Sequence, residues 1–243
     1  INAKKVILAA GGFAKNEELL ERFVPDAKGT AELSAAAAGS TGDGILMAEE
    51  VGAALYEDNW IIGLAGSTKV PGTEGLSWDW TKVYVNEDGE RFTNEDTHYA
   101  IVTNKILAQE SAWMIFDSSD ANSKTIEAIE AAMPTEEAAK GESIEQLSAA
   151  MGVPAENLAE TLSKYNTGAK SGVDEFGKNA NFMYAMEKGP FYALKLYPKT
   201  MGTFGGVKTN ENYQVLREDG TVINNLYAGG ECANKIMYNQ VYM

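Results

Sequence analysis

The 243-residue chain has 35 acidic against 20 basic residues, a formal net charge of −15, and 44% hydrophobic residues. That balance argues against a nucleic-acid binder, because no basic patch gathers enough Lys or Arg to neutralise several phosphates. Cys232 is the only cysteine and His98 the only histidine, which excludes an internal disulfide, a cysteine zinc site and most histidine metal sites. No EF-hand spacing occurs, and no metal is expected. No apolar run reaches the roughly 18 residues of a membrane span. A chain that opens on Ile1 and enters a strand almost at once reads as an internal piece of something longer, so its compartment, cytoplasmic or associated with the cell envelope, stays open.

Along the chain, Lys5 to Ala10 (KVILAA) predicts a short strand buried on both faces and ended by Gly11-Gly12. Asn16 is placed to cap a helix running to Val24, and Pro25 stops it. In GSTGDGILMAEEVGAAL, Ser40 or Thr41 can cap a turn before a helix from Gly44 to Val51. Residues 57 to 77 read as loop or irregular strand, and Lys82 to Phe92 as a hairpin turned at Asp88-Gly89. A helix over Tyr99 to Gln109 and a strand over Ala112 to Phe116 follow. Helical patterns then cover 122–132, 143–151 and 155–165, and glycine and polar residues dominate 166–181. Strands return at Tyr192–Leu196, Gly206–Thr209 and Asn225–Ala228, with a hairpin turned at Asp219-Gly220. Strand-rich ends around a more helical middle imply an α/β unit built from both ends, residues 1–56 and 202–243, interrupted by an inserted α+β domain at 57–201. The glycine pairs 11–12, 205–206 and 229–230 either converge on one site in that arrangement or serve as separate turns.

The order KKVILAAGGF, STGDGILMAEEVGA, VNEDGERFTNE, TFGGVKTN, LYAGGE resembles the flavoprotein family of fumarate reductases and succinate dehydrogenases. That family also includes urocanate and other enoate reductases and ketosteroid dehydrogenases. The resemblance runs from Lys4 to Glu231. It implies a partial Rossmann-like FAD-binding domain interrupted by a mobile α+β capping domain, with FAD as the cofactor of the intact protein. No GxGxxG turn occurs in the chain, so the segment that grips the pyrophosphate is lacking, and this stretch alone is expected to hold FAD poorly.

The resemblance implies FAD contacts at Ala10, Gly11 and Gly12, at Thr41, Gly42, Asp43 and Gly44 near the flavin, at Gly205 and Gly206, and at Gly229, Gly230 and Glu231. Gly11 and Gly12 are expected to leave room for the approaching cofactor. Arg91, Asn94 and Glu95 of RFTNE are expected to support the active-site wall through ion pairing. Counting onward from Arg91, the family's proton-donating arginine falls on Tyr99, and its carboxylate-clamping histidine falls on Met201, with Thr203 matching a threonine. Thr73-Glu74 resembles a relay pair without its arginine, and no arginine stands near Val241. A dianion needs cationic donors at both ends, so fumarate is not the expected substrate. The reading is a flavin-dependent reductase of an activated carbon–carbon double bond, with Tyr99 as proton donor, since a phenol is protonated at neutral pH. A dehydrogenase of the ketosteroid-desaturating type and an inactive piece without bound cofactor are the alternatives. His98 is expected to point away from Tyr99 if the segment is already helical there and to be a satisfied rather than a catalytic histidine, Cys232 to fill space, and Trp60, Tyr238 and Tyr242 to be candidate wall aromatics. The electron donor is open among a nicotinamide, an attached FMN or haem module and a partner protein.

Overall fold

Residues 2–235 are described by the computed structural model. In chain order they form β1 (Val6–Leu8), α1 (Glu17–Phe23), α2 (Asp43–Glu50), β2 (Trp60–Ser67), β3 (Val83–Asn86), α3 (Tyr99–Leu107), β4 (Ala112–Asp117), α4 (Ser123–Ala132), β5 (Ala138–Gly141), α5 (Ile144–Met151), α6 (Ala155–Ser171), β6 (Phe191–Lys195), β7 (Tyr197–Phe204), β8 (Gln214–Leu216) and β9 (Val222–Ala228). The fold class is α/β, as expected. Two compact units are present, one from residues up to Leu64 together with those from Lys199 on, the other Ala65–Pro198. No helix among the described residues is long and apolar enough to cross a membrane.

The first unit joins the chain ends in a sheet of order β1-β9-β8. β1 runs parallel to β9 with Val6 opposite Leu226 and Leu8 opposite Ala228. The hairpin from β8 to β9 turns at Gly220, whose φ of 79° suits glycine. Asn16 caps α1 by accepting from the Leu19 amide at 3.1 Å, and Leu19 and Leu20 are buried beneath the helix. Three expectations need correction. β1 is not buried on both faces: Val6 is 48% and Ile7 72% exposed, since burial of a strand's faces needs a layer packed over each, and among the described residues these two side chains are left uncovered. Neither Ser40 nor Thr41 caps α2. Gly42 occupies the N-cap at φ 81°, and the Thr41 hydroxyl donates instead to Asp43 Oδ1 at 3.0 Å. Gly206 to Thr209 makes only isolated bridges, to Ala233, Leu55 and Val215, because Gly205 and Gly206 both take positive φ and break the strand direction after Phe204.

The second unit is a four-stranded antiparallel sheet, β3-β4-β6-β5, covered on both faces. Side chains alternate along each strand, as the pleat requires. Val83, Val85, Trp113, Ile115 and Ala193 share one core with Leu147, Leu158 and Leu162 of α5 and α6. Tyr84, Met114, Phe116, Tyr192 and Leu194 share the other with Val102 and Ile106 of α3 and Ile129 of α4. That double burial explains why β4, AWMIFD, is apolar at five of its six positions. The hairpin at Asp88-Gly89 forms, with the Asn86 amide donating to the Glu90 carbonyl at 2.9 Å.

Of the stretch read as loop or irregular strand, residues 60–67 make a strand, and Gly66 belongs there because a Cβ would stand 2.4 Å from Leu196 Cδ1. β5 (AAKG) lacks β-branched residues and shows no strand signal; it pairs with β6 through tertiary context. Its Gly141 lets the α5 backbone approach, since a Cβ would lie 2.2 Å from the Leu147 nitrogen. α6 runs past residue 165 to Ser171 and carries Gly168 inside it, where a Cβ would lie 2.7 Å from the Val173 carbonyl.

A buried charge cluster ties the hairpin to the start of α3. Arg91 is engaged bidentately by Glu95, Nε to Oε1 at 2.9 Å and Nη2 to Oε2 at 2.7 Å, and its Nη1 pairs with Asp174. Lys178 Nζ reaches Glu95 Oε2 at 3.1 Å and the Lys82 carbonyl at 2.7 Å, and the Tyr84 amide donates to Glu95 Oε1 at 3.0 Å. The guanidinium lies over the rings of Phe176 and Tyr165, at 4.9 and 5.2 Å. Burial pulls the Lys178 ammonium below the usual lysine range against the opposing pull of Glu95. Burial acts to raise the Asp174 carboxyl, but Arg91 and the backbone amides of Lys178 and Phe176 outweigh it and hold the group below the usual range.

Glu95→Gln leaves two buried cations short of their anion and should destabilise the protein by about 3–5 kcal/mol in urea unfolding. A loss below about 1 kcal/mol would show that the cluster is not structural. Because the folded Asp174 carboxyl titrates below its unfolded value of about 3.9, its stabilisation is complete above that value and lost as pH falls through the folded one. Asp174→Asn should therefore lose less stability than the unsubstituted protein on acidification below about pH 4.

Candidate functional site

In the first unit, five segments distant in sequence meet through backbone and side-chain hydrogen bonds. The Gly42 amide donates to the Gly12 carbonyl at 2.9 Å and the Gly229 amide to the Leu8 carbonyl at 3.0 Å. Glu231 Oε1 accepts from the Thr203 amide at 2.8 Å and from the Thr203 hydroxyl at 3.2 Å, and Thr203 Oγ1 accepts from the Phe13 amide at 3.2 Å. The Gly205 amide donates to Asn234 Oδ1 and the Gly206 amide to Asn59 Oδ1, both at 2.9 Å. The glycine pairs therefore converge. Asn59 and Asn234, which fix the 205–206 turn, escape sequence reading because nothing in their local pattern marks them as partners of a distant glycine.

The glycines fall into two sets. A Cβ at Gly12 would stand 2.2 Å from both Glu231 Oε1 and Thr203 Oγ1, at Gly42 2.2 Å from Leu19 Cδ1, at Gly44 3.0 Å from Ala10 Cβ, at Gly205 1.7 Å from Asn59 Oδ1, and at Gly206 2.1 Å from the Cys232 carbonyl. Neighbouring atoms crowd all of these positions, most severely Gly206, where the obstructing atom is backbone. For Gly12 this corrects the expected reason, which was room for a cofactor. At Gly11 the nearest atom is Ser40 Oγ at 3.8 Å, at Gly229 Tyr213 Cδ1 at 4.0 Å, and at Gly230 there is nothing within 4 Å. Ala10, Asp43 and Gly230 are exposed, and Gly11, Thr41, Gly229 and Glu231 half-buried. At the open set nothing crowds the backbone more closely than 3.8 Å, which fits a flat cofactor approaching the chain closely. Cys232 is fully buried, its thiol 3.2 Å from the Leu8 carbonyl, and burial pushes its titration up, so it fills space as expected. Met201 is half-buried. Tyr238, Val241 and Tyr242 lie outside the described residues.

In the second unit, Tyr99 opens α3 and faces a cavity of about 170 Å³ lined by Trp78, Trp80, Tyr84, Glu95, Asp96, Thr97, His98 and Val102. Its ring meets Trp78 edge-on at 5.9 Å. His98 does not point away. It is the N-cap, with non-helical φ −55° and ψ 129°, so neighbouring side chains are not splayed by helical geometry, and its ring stacks on Tyr99 at 4.2 Å with a 30° interplanar angle. Sequence reading missed Trp78 and Trp80; the aromatic concentration WDW is the signal that could have marked them. Thr73 is buried, its hydroxyl donating to the Val70 carbonyl at 2.7 Å and lying 2.6 Å from the Thr68 hydroxyl. Glu74 is exposed and accepts from the Gly72 amide at 3.1 Å. Asn94 Oδ1 accepts from the Asp96 amide at 3.0 Å, shaping the turn that leads to Tyr99.

A family pattern described as FAD binding domain matches residues 1–241. The chain belongs to that family. Its fold is accordingly a Rossmann-like FAD-binding domain with an inserted capping domain, and membership implies an FAD cofactor for the whole protein. A probable fumarate reductase of Shewanella frigidimarina is 33% identical over 99% of this chain and 41% of its own length. The 3-oxosteroid 1-dehydrogenase of Mycolicibacterium smegmatis is 30% identical over 96% of this chain and 47% of its own length. The open conformation of a flavocytochrome c3 fumarate reductase superposes with a TM-score of 0.62 at 33% identity, over 98% of this chain and 43% of that one. The chain thus spans less than half the length of these relatives.

Gly206 combines φ 83° with a backbone carbonyl 2.1 Å from any Cβ, whereas Gly220 has φ 79° and open space. Gly206→Ala should cost about 3 kcal/mol or more in thermal unfolding, against about 1 kcal/mol for Gly220→Ala. Equal losses would contradict the packing role.

Proposed function

We propose that the whole protein is an FAD-dependent oxidoreductase that reduces an activated carbon–carbon double bond in a monocarboxylate or uncharged enone bearing an apolar or aromatic group. The observation that carries this reading is the Tyr99 cavity, whose described lining holds aromatic rings and the acidic residues Glu95, its carboxylate already paired with Arg91 and Lys178, and Asp96, but no Lys or Arg. Such a lining favours an apolar ring and disfavours a dianion. Family membership and the names of the relatives support the class of reaction.

Ala10, Gly11, Thr41, Asp43, Gly229, Gly230 and Glu231 would hold the cofactor on the open surface, with Gly12, Gly42, Gly44, Gly205 and Gly206 shaping the backbone beneath. FAD supplies hydride exchange at N5 when bound. Tyr99 gives the phenolic proton to the substrate carbon that does not receive hydride and regains it from solvent. Trp78 and Trp80 exclude water and pack the substrate's apolar group. None of the residues that the resemblance implies for the substrate, Thr73, Glu74, Met201 and Thr203, carries a positive charge. The dehydrogenase direction is the second reading, supported by the steroid dehydrogenase relative and the same aromatic lining. The electron donor is a nicotinamide, an attached FMN or haem module, or a partner protein.

In the full-length flavoprotein, reduced-flavin reoxidation followed by stopped flow should favour cinnamate or 2-cyclohexenone over fumarate by about 100-fold or more, since each missing charge-assisted contact is worth about 1.5–3 kcal/mol. Faster reoxidation by fumarate, or none by either other compound, would contradict the proposal. Tyr99→Phe should slow the favoured reaction by about 10²–10⁴-fold with flavin content retained; an unchanged rate removes Tyr99 as the donor.

A further inference from the structure

We infer that His98 is the positioning residue for Tyr99, holding the phenol by a ring stack while its own ring is fixed by capping α3. The inference rests on the reading of Tyr99 as proton donor. His98 Nδ1 accepts from the Ala100 amide at 3.2 Å, so that nitrogen carries no proton and the neutral ring carries its proton on Nε2. An imidazolium has no acceptor to offer, and capping and positive charge on this ring are therefore mutually exclusive.

Capping alone does not call for a histidine. Asn, Asp, Ser and Thr satisfy a helix N-terminus as well or better with shorter side chains, and Asn16 does so on α1 in this same chain. What the imidazole adds is a flat face. It lies 4.2 Å from the Tyr99 ring at 30°, while Trp78 meets the same ring edge-on at 5.9 Å and 75°. Both His98 and Trp78 line the cavity that Tyr99 faces. The cap sets the imidazole plane, and that plane together with the Trp78 edge restricts the rotation of the Tyr99 side chain. A proton donor works only within hydrogen-bond reach of the atom it protonates, and a displacement near 1 Å can cost about 10²-fold in rate.

The test uses the full-length flavoprotein and the faster of cinnamate and 2-cyclohexenone as oxidant of the reduced flavin. His98→Asn keeps a capping acceptor and removes the ring. It should retain flavin content and melting temperature, leave substrate affinity within about threefold, and lower the saturating rate by about 10- to 100-fold. In the Tyr99→Phe background the same substitution should cost nothing further, because the group it positions is gone. A wild-type rate in His98→Asn beside a slow Tyr99→Phe overturns this inference alone, as does an equal fold-loss in both backgrounds. A wild-type rate in Tyr99→Phe overturns the donor reading and this inference with it.

Discussion

Glu231 Oε1 accepts two hydrogen bonds from one residue, the amide and hydroxyl of Thr203, and the same hydroxyl accepts from the Phe13 amide. Through these atoms the end of β1, the end of β7 and the turn after β9 become one structure, although Phe13 and Thr203 are 190 residues apart. The contact also dictates sequence. It occupies the space a side chain would need at Gly12 and at Gly202, where a Cβ would stand 2.2 and 2.9 Å from Glu231 Oε1. Loss of such a bond strands the Phe13 amide away from water, and an unmade buried bond weighs more than the modest net value of a made one.

A second carboxylate, Glu95, has the comparable place in the inserted unit, but the physics differs. Glu231 gathers neutral donors, and its geometry is a matter of backbone closure. Glu95 gathers Arg91 and Lys178, both buried, so the electrostatics are strong and unforgiving of a missing member. The cluster sits four residues before Tyr99, and the turn between them is short and internally bonded through Asn94. Rigid charge pairing on one side and aromatic packing on the other leave the start of α3 little freedom.

Much of the fold was legible because its signals are local. Asn16 before two acidic residues marks α1, Asp88-Gly89 and Asp219-Gly220 mark hairpins, and the apolar run of β4 marks a buried strand. β5 was not legible, since AAKG becomes a strand only by pairing with β6. The exposure of Val6 and Ile7 was missed because composition reports what a side chain prefers, not whether a layer covers it. For the candidate site, the order of glycine segments gave their convergence correctly but not the cause at Gly12, which depends on a side chain more than two hundred residues away. The His98–Tyr99 stack was hidden because the sequence does not show the N-cap conformation of residue 98, which brings the two rings together.

The Glu231–Thr203–Phe13 contact closes the candidate cofactor unit. It is tested most directly by hydrogen exchange at the Phe13 amide in full-length protein carrying Thr203→Val, which keeps the shape and removes the hydroxyl. Loss of the acceptor should speed exchange at Phe13 by about tenfold or more, spread to residues 11–13 and 229–232, and lower the flavin-to-protein ratio. Unchanged protection at Phe13 with full flavin content would contradict the account.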